Sequence, residues 1–226
     1  MSHIHLPDGV LPVWLWLSGY ALSIVLIAIL WRGQPNVEPR KFALLGVMSA
    51  VMVLIALIEI PPFAYHFNLS VVAGIILGPQ LAVLAALVVN IILALIGHGG
   101  VTVVGLNTLV LSAEMLVGYY VFRLVRRSLR VTTAGFISTV AGLFFGTVAG
   151  FGIIAAGSKW IDRALQSESL RAGEQFTGTH IDLSRLGLIM FGVGFIGWIA
   201  EGLLSAAILK SLQRIMPETL GGTSEE

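Results

Sequence analysis

The chain has 226 residues, 57% of them hydrophobic and 11% charged, with a mean hydropathy of +0.94. That balance leaves too little polar surface to clothe a water-soluble globule, so lipid is the solvent for most of the chain. Thirteen Lys plus Arg against twelve Asp plus Glu, a net charge of +1, exclude an electrostatic footprint for nucleic acid, and the absence of Cys excludes disulfides, thiolate ligands and cysteine nucleophiles. Any metal chemistry falls to nitrogen and oxygen donors.

The opening Met1-Ser2-His3-Ile4-His5 carries no basic region of a secretory signal, and no small-residue cleavage site follows the first apolar run, which is read as a retained span. Leu6-Pro7-Asp8-Gly9-Val10-Leu11-Pro12 is a stiff turn feeding straight into that span, a segment built to be placed rather than to trail. Crossing a hydrocarbon core of about 30 Å takes about 20 apolar residues. Residues 11–31, 42–60, 106–122 and 131–156 meet this plainly, and 80–97 and 186–209 meet it with single polar interruptions. Between them Pro61-Pro62 breaks the chain, and a short apolar stretch over 67–77 ends at Gly78-Pro79. This stretch is predicted to be a short or partly re-entrant helix, which makes an all-α bundle of about seven membrane segments. Irregular backbone at membrane depth is tolerated where it lines a cavity, so this is where a site is expected.

Basic residues in short loops orient the bundle. Arg32, Arg40 and Lys41, then Arg123, Arg126, Arg127 and Arg130, then Lys210 and Arg214 fall on one side if seven segments alternate. That side is predicted to be cytoplasmic and the N-terminus extracytoplasmic. The segment 157–184, where Lys159, Arg163 and Arg171 are offset by Asp162, Glu168, Glu174 and Asp182, then lies outside. So do His3, His5, His66 and His98, and three imidazoles, His3, His5 and His66, meet without crossing the membrane. Imidazole with a free amine or deprotonated backbone nitrogen makes a tetragonal field suited to Ni(II) or Cu(II); imidazoles with oxygen donors suit Co(II) or Zn(II). For a lone His the bland reading, a structural hydrogen bond, leads by a wide margin at His180 and by a smaller one at His98.

Glu59, Glu114 and Glu201 lie within or at the ends of apolar spans that contain no Lys or Arg. Ionisable groups at that depth usually face a bundle interior or a wet cavity, the alternative being hydrogen-bonded glue between helices. Glu201 reads as glue, Glu114 stays open between the two, and Glu59 is close enough in sequence to His66 to support it from behind. Asn107 is expected near the level of His66, where its amide would orient that imidazole or the amino-terminal segment. Gly142, Gly146, Gly150 and Gly152 read as close helix packing without chemistry.

His5-Leu6-Pro7-Asp8-Gly9-Val10-Leu11-Pro12 resembles the amino-terminal signature of the CbiM/NikM family, the metal-binding membrane components of energy-coupling-factor cobalt and nickel transporters. Further matches are Tyr65-His66 after the double proline, Leu77-Gly78-Pro79, Gly99-Gly100-Val101-Thr102-Val103-Val104-Gly105-Leu106-Asn107, Ala200-Glu201-Gly202-Leu203 and Arg214-Ile215-Met216-Pro217-Glu218. The resemblance implies one transmembrane metal-binding domain over residues 1–217 with a polar tail at 218–226. It implies a multi-pass protein of a prokaryotic cell membrane that captures Co(II) or Ni(II) outside as transported substrate. Its partners would be a membrane coupling subunit and a pair of cytoplasmic ATPases, with or without a small accessory membrane subunit. In the family an amino-terminal His and an imidazole matching His66 bind the metal, and the terminal amine with the His backbone nitrogen completes a square plane. Here Met1-Ser2-His3-Ile4 precedes His5, a departure from the family, whose His follows the initiator Met. Either His3 binds beside the amine, with or without Met1, or His5 keeps the family position and His3 replaces the amine; His5 and His66 rank above His3.

Two rivals are weaker. An intramembrane hydrolase using His66, His98 and Glu114 lacks any His-Glu-x-x-His or Gly-x-Ser-x-Gly element, and a self-sufficient secondary transporter lacks a visible inverted repeat. No Gly-x-x-x-x-Gly-Lys-Ser/Thr pattern occurs either, so ATP hydrolysis is expected in partner subunits.

Overall fold

A computed structural model describes residues 8–9, 11–32, 38–60, 65–171 and 182–215; His3, His5, His180 and the tail at 218–226 lie outside the described residues. Among the described residues six helices are long and apolar enough to cross a membrane: α1 (Val13–Arg32), α2 (Pro39–Ala56), α3 (Ser70–Leu95), α4 (Val104–Val125), α5 (Val131–Arg171) and α6 (Leu183–Ile215). Two short strands, β1 (Glu59–Ile60) and β2 (Tyr65–His66), pair antiparallel between α2 and α3.

Helix α2 stops at Ala56, short of the residue 60 expected from hydropathy. The residue before a proline is driven from helical to extended backbone, and the Pro61-Pro62 pair propagates that into Glu59 and Ile60, which form β1 instead. Helix α5 overruns its expected end at 156 and continues to Arg171. Residues 157–171 carry good helix formers and no proline, so nothing in them ends the helix where the apolar run ends. At 1.5 Å per residue α5 is about 60 Å long, twice the thickness of a hydrocarbon core, and the segment read as an outer loop is partly helix.

The expected short helix over 67–77 is the first arm of α3, residues 70–77, set off from the second arm at Gly78. Gly78, with φ 76° and ψ 169°, breaks the helical path, and Pro79 follows it. A straight 26-residue helix would hold its ends almost 40 Å apart. Yet the rings of His66, before α3, and His98, after it, are 5.4 Å apart by centroid. The two arms, residues 70–77 and 79–95, therefore fold back on each other at Gly78. Ala73 and Leu77 of the first arm share a core with Leu81, Ala85 and Ala86 of the second, Met52 of α2 and Met115 of α4.

This reversal sets the two ends of the bundle. One end gathers Asp8, the β1–β2 hairpin and residues 96–103, and beneath it Leu11, Leu15, Val103, Ile154 and Met190 form a core. The opposite end holds the Gly78 turn, where the Gln80 side-chain amide donates to the Leu30 carbonyl at 3.1 Å, and a core joining Ile75, Phe122, Val131 and Leu209.

The conformation of Gly78 is one that residues with a Cβ adopt only at a cost of about 1 to 3 kcal/mol. Gly78→Ala should therefore lower the thermal midpoint of the detergent-solubilised protein, whereas Gly152→Ala, whose new Cβ meets nothing within 4 Å, should leave it unchanged or slightly raised. Equal midpoints for the two variants would show that the turn does not depend on glycine.

Candidate metal centre

Three separate pieces of chain converge at the hairpin end of the bundle. Asp8 is the anchor of the first. One carboxylate oxygen accepts hydrogen bonds from the Thr102 backbone N–H at 2.8 Å and the Thr102 hydroxyl at 2.6 Å, and the other accepts from the Val101 N–H at 3.0 Å. Two successive N–H groups and a hydroxyl satisfy a carboxylate well, and the Thr102 hydroxyl, then its backbone N–H, hold the Asp8 carboxyl below the usual carboxylate range despite some opposing desolvation. The Tyr20 hydroxyl donates to the Val101 carbonyl and the Ser23 hydroxyl to Gly105 at 2.7 Å, so α1 steadies the same loop and the start of α4.

The second piece is the hairpin. Its register sets residue 59 directly opposite His66. Glu59 thus sits in a strand beside the imidazole rather than at a helix end; the placement of its side chain lies outside what is described. After His66 the chain runs non-helically through Phe67, Asn68 and Leu69 into the bundle. There His66, Asn68, Asn90, Asn107 and Thr147 supply the polar lining of a cavity of about 60 Å³, whose other walls include Met52, Leu93 and Met190. By this measure a cavity of about 10 to 15 Å³ holds one water, so the space has room for several. The cavity brings together His66 and Asn107, two of the residues expected from the sequence.

Asn68 closes the floor. Its Oδ1 accepts from the Ser70 N–H at 2.9 Å, capping the first arm of α3, and its Nδ2 donates to Glu114 Oε2 at 2.8 Å. The Ser70 hydroxyl donates to the same oxygen at 2.8 Å. Glu114 is fully buried, and so is Glu201 on α6, 1% exposed. A Cβ at Gly146 would collide with the Glu114 side chain. That glycine, read from spacing as helix packing alone, makes room for a carboxylate, and Gly150 one turn on lines the cavity.

The third piece is the loop 96–103, which carries His98 against His66. Among the described residues no three His, Asp or Glu side chains come close enough together to hold a metal ion. Asp8, Asn68, Ser70 and Thr102 were not singled out from the sequence as functional. Asp8 and Thr102 do stand inside two of the motifs that carry the family resemblance, and that membership is the signal that was available.

Membrane-length helices packed around a polar cavity near one end make this a multi-pass membrane protein. A family model described as "Cobalt uptake substrate-specific transmembrane region" matches residues 5–219. The chain is 29% identical over 155 residues to a putative metal transport protein of Methanocaldococcus jannaschii, covering 66% of this chain and 70% of that one. It is 32% identical over 157 residues to a putative fused nickel transport protein of Archaeoglobus fulgidus, covering 65% of this chain and 52% of the fused one. A crystal structure described as a transition metal transporter superposes with a TM-score of 0.74 at 19% identity, over 94% of this chain and 93% of that one. The chain belongs to the cobalt-uptake transmembrane family, and is a membrane component of metal uptake rather than an enzyme.

The Asp8 anchor has a definite pH signature. Because its carboxyl titrates below the ordinary value, the stabilisation it gives is complete above about pH 4 and is lost as the pH falls through the lowered value. Amide exchange at Val101 and Thr102, corrected for intrinsic rate, should be flat from pH 8 to about 5 and rise only in stronger acid. Asp8→Ala should accelerate it roughly five- to tenfold at neutral pH. Exchange indifferent to that substitution would mean the anchor does not hold the loop.

Proposed function

We propose that this chain captures Co(II) or Ni(II) on the extracytoplasmic side, in a site made by the amino-terminal segment and His66, as the substrate-binding component of an ATP-driven energy-coupling-factor importer. The observation that carries this reading is the Asp8 anchor, which ties the amino-terminal segment to the loop preceding Asn107, while Asn107 and His66 line one cavity. Asp8 is three positions after His5 and five after His3, so chain length alone keeps the Cα of His5 within about 11 Å of that of Asp8, and that of His3 within about 18 Å. Asn107 and Glu59 act behind the ligands, orienting an imidazole by hydrogen bonds to its far nitrogen.

The choice between cobalt and nickel rests on the names of the family and relatives, which cover both. The coupling subunit, the paired ATPases and a small accessory subunit are the partners this reading requires, since no phosphate-binding loop occurs in the sequence. Seven segments, counting the two arms of α3 separately, put the clustered Arg123, Arg126, Arg127 and Arg130 on the cytoplasmic side. Those four are the proposed docking surface for the energising subunits.

Titration of the purified protein with Ni(II) and Co(II) tests the site. His5→Ala and His66→Ala should lose most of the affinity, and Asn107→Ala should lose roughly 10 to 100-fold while remaining folded. Loss on acetylation of the terminus would place the amine and His3 in the ligand set, and indifference would favour side chains alone. Full affinity in His3→Ala, His5→Ala, His66→Ala and the acetylated protein together would remove the site from this end of the bundle.

Orientation has its own test, free of background labelling because the chain contains no Cys. In intact cells a cysteine at Ser167 should react with an impermeant maleimide and one at Ser128 should not. The reverse pattern would invert the proposed orientation.

A further inference from the structure

We propose that His98 is a metal ligand together with His66, so that the site rests on two imidazoles from different loops which the amino-terminal segment completes. This rests on the metal-capture reading above and adds a donor to it. The two rings lie 5.4 Å apart by centroid, with planes at 79°. A metal–nitrogen bond of about 2.0 to 2.1 Å puts the metal about 3.2 Å from the centroid of a ligating imidazole. Two imidazoles on one metal then have centroids about 4.5 Å apart at a right angle, about 5.2 Å at the tetrahedral angle and about 6.4 Å when trans. The observed separation falls inside that range and corresponds to a nitrogen–metal–nitrogen angle of about 115°.

The backbone is built to present this ring. Gly97 and Gly99 on either side of His98 both have positive φ, 78° and 127°, and the His98 N–H donates to the Leu93 carbonyl at 2.8 Å, ending α3 in a tight turn. The turn aims the imidazole back across the bundle end at His66. Three residues further on, Val101 and Thr102 hold Asp8, so the loop that carries His98 is also the one to which the amino-terminal segment is tied. Both imidazoles are half-buried, open to an ion arriving from that end.

The competing explanation is that an edge-to-face ring pair packs the loop against the hairpin, an interaction any aromatic side chain would supply. His98→Phe separates the two, because phenylalanine keeps the ring contact and has no donor atom. Ni(II) and Co(II) affinities, the metal-induced rise in thermal midpoint and the imidazole count from X-ray absorption are measured on the intact protein, His98→Phe, His98→Gln and His66→Ala. A ligand role predicts that His98→Phe keeps the midpoint of the metal-free protein, loses roughly tenfold or more in affinity, and shows one fewer imidazole. His98→Gln should show the same loss if the aromatic replacement disturbs the loop. Parental affinity and imidazole count in His98→Phe or His98→Gln would overturn the inference while His66→Ala still failed to bind. Absence of binding by the unsubstituted protein would instead overturn the metal-capture reading itself.

Discussion

The amide of Asn68 is the contact on which the site depends. A bilayer interior offers no water to backbone N–H and C=O groups, so non-helical chain survives at depth only where protein groups replace the solvent. Residues 67–69 are such a stretch, and Asn68 uses both ends of its side chain to stabilise it, capping Ser70 with its oxygen and binding Glu114 with its nitrogen. The chain that leads from His66 into the bundle is held by this arrangement. Glu114 in turn occupies the space that Gly146 leaves on α5. A carboxylate that hydropathy marks as an anomaly is thus part of what makes a local departure from helix possible.

Above this floor the architecture is one of convergence from distant sequence. The amino-terminal turn, the hairpin and the 96–103 loop have no continuous secondary structure in common, and each is fixed by a different device. Asp8 is held by charge-assisted hydrogen bonds, His66 by strand pairing opposite residue 59, and His98 by a glycine-bracketed helix end. These devices differ in their sensitivity. The Asp8 contacts are exposed and electrostatic, so they are the most easily loosened, whereas the Asn68–Glu114 contacts are buried and persist as long as the bundle does.

Much of the bundle was legible because bilayer thickness imposes a length scale on apolar runs. Alternation of segments placed His66 and His98 at one end, in agreement with the 5.4 Å ring separation. The Gly78-Pro79 turn was legible for a stereochemical reason, since glycine permits the backbone that proline then continues. The length of α5 was not, because its last turns leave the apolar region while staying helical, and hydropathy reports the solvent rather than the backbone. Nor was the role of Gly146, because spacing cannot tell a glycine that admits another helix from one that admits a side chain.

By itself the sequence determined that this is a membrane bundle, where its chain reverses, and that His66 and His98 share an end; all of these follow from local stereochemistry and from the thickness of the hydrocarbon core. Only the tertiary structure decided that Asp8 reaches Thr102 across 94 positions and that Asn68 reaches Glu114 across 46. A hydrogen bond between distant residues leaves no periodicity in the chain, because its energy depends on the geometry of two surfaces that exist only after the helices have packed.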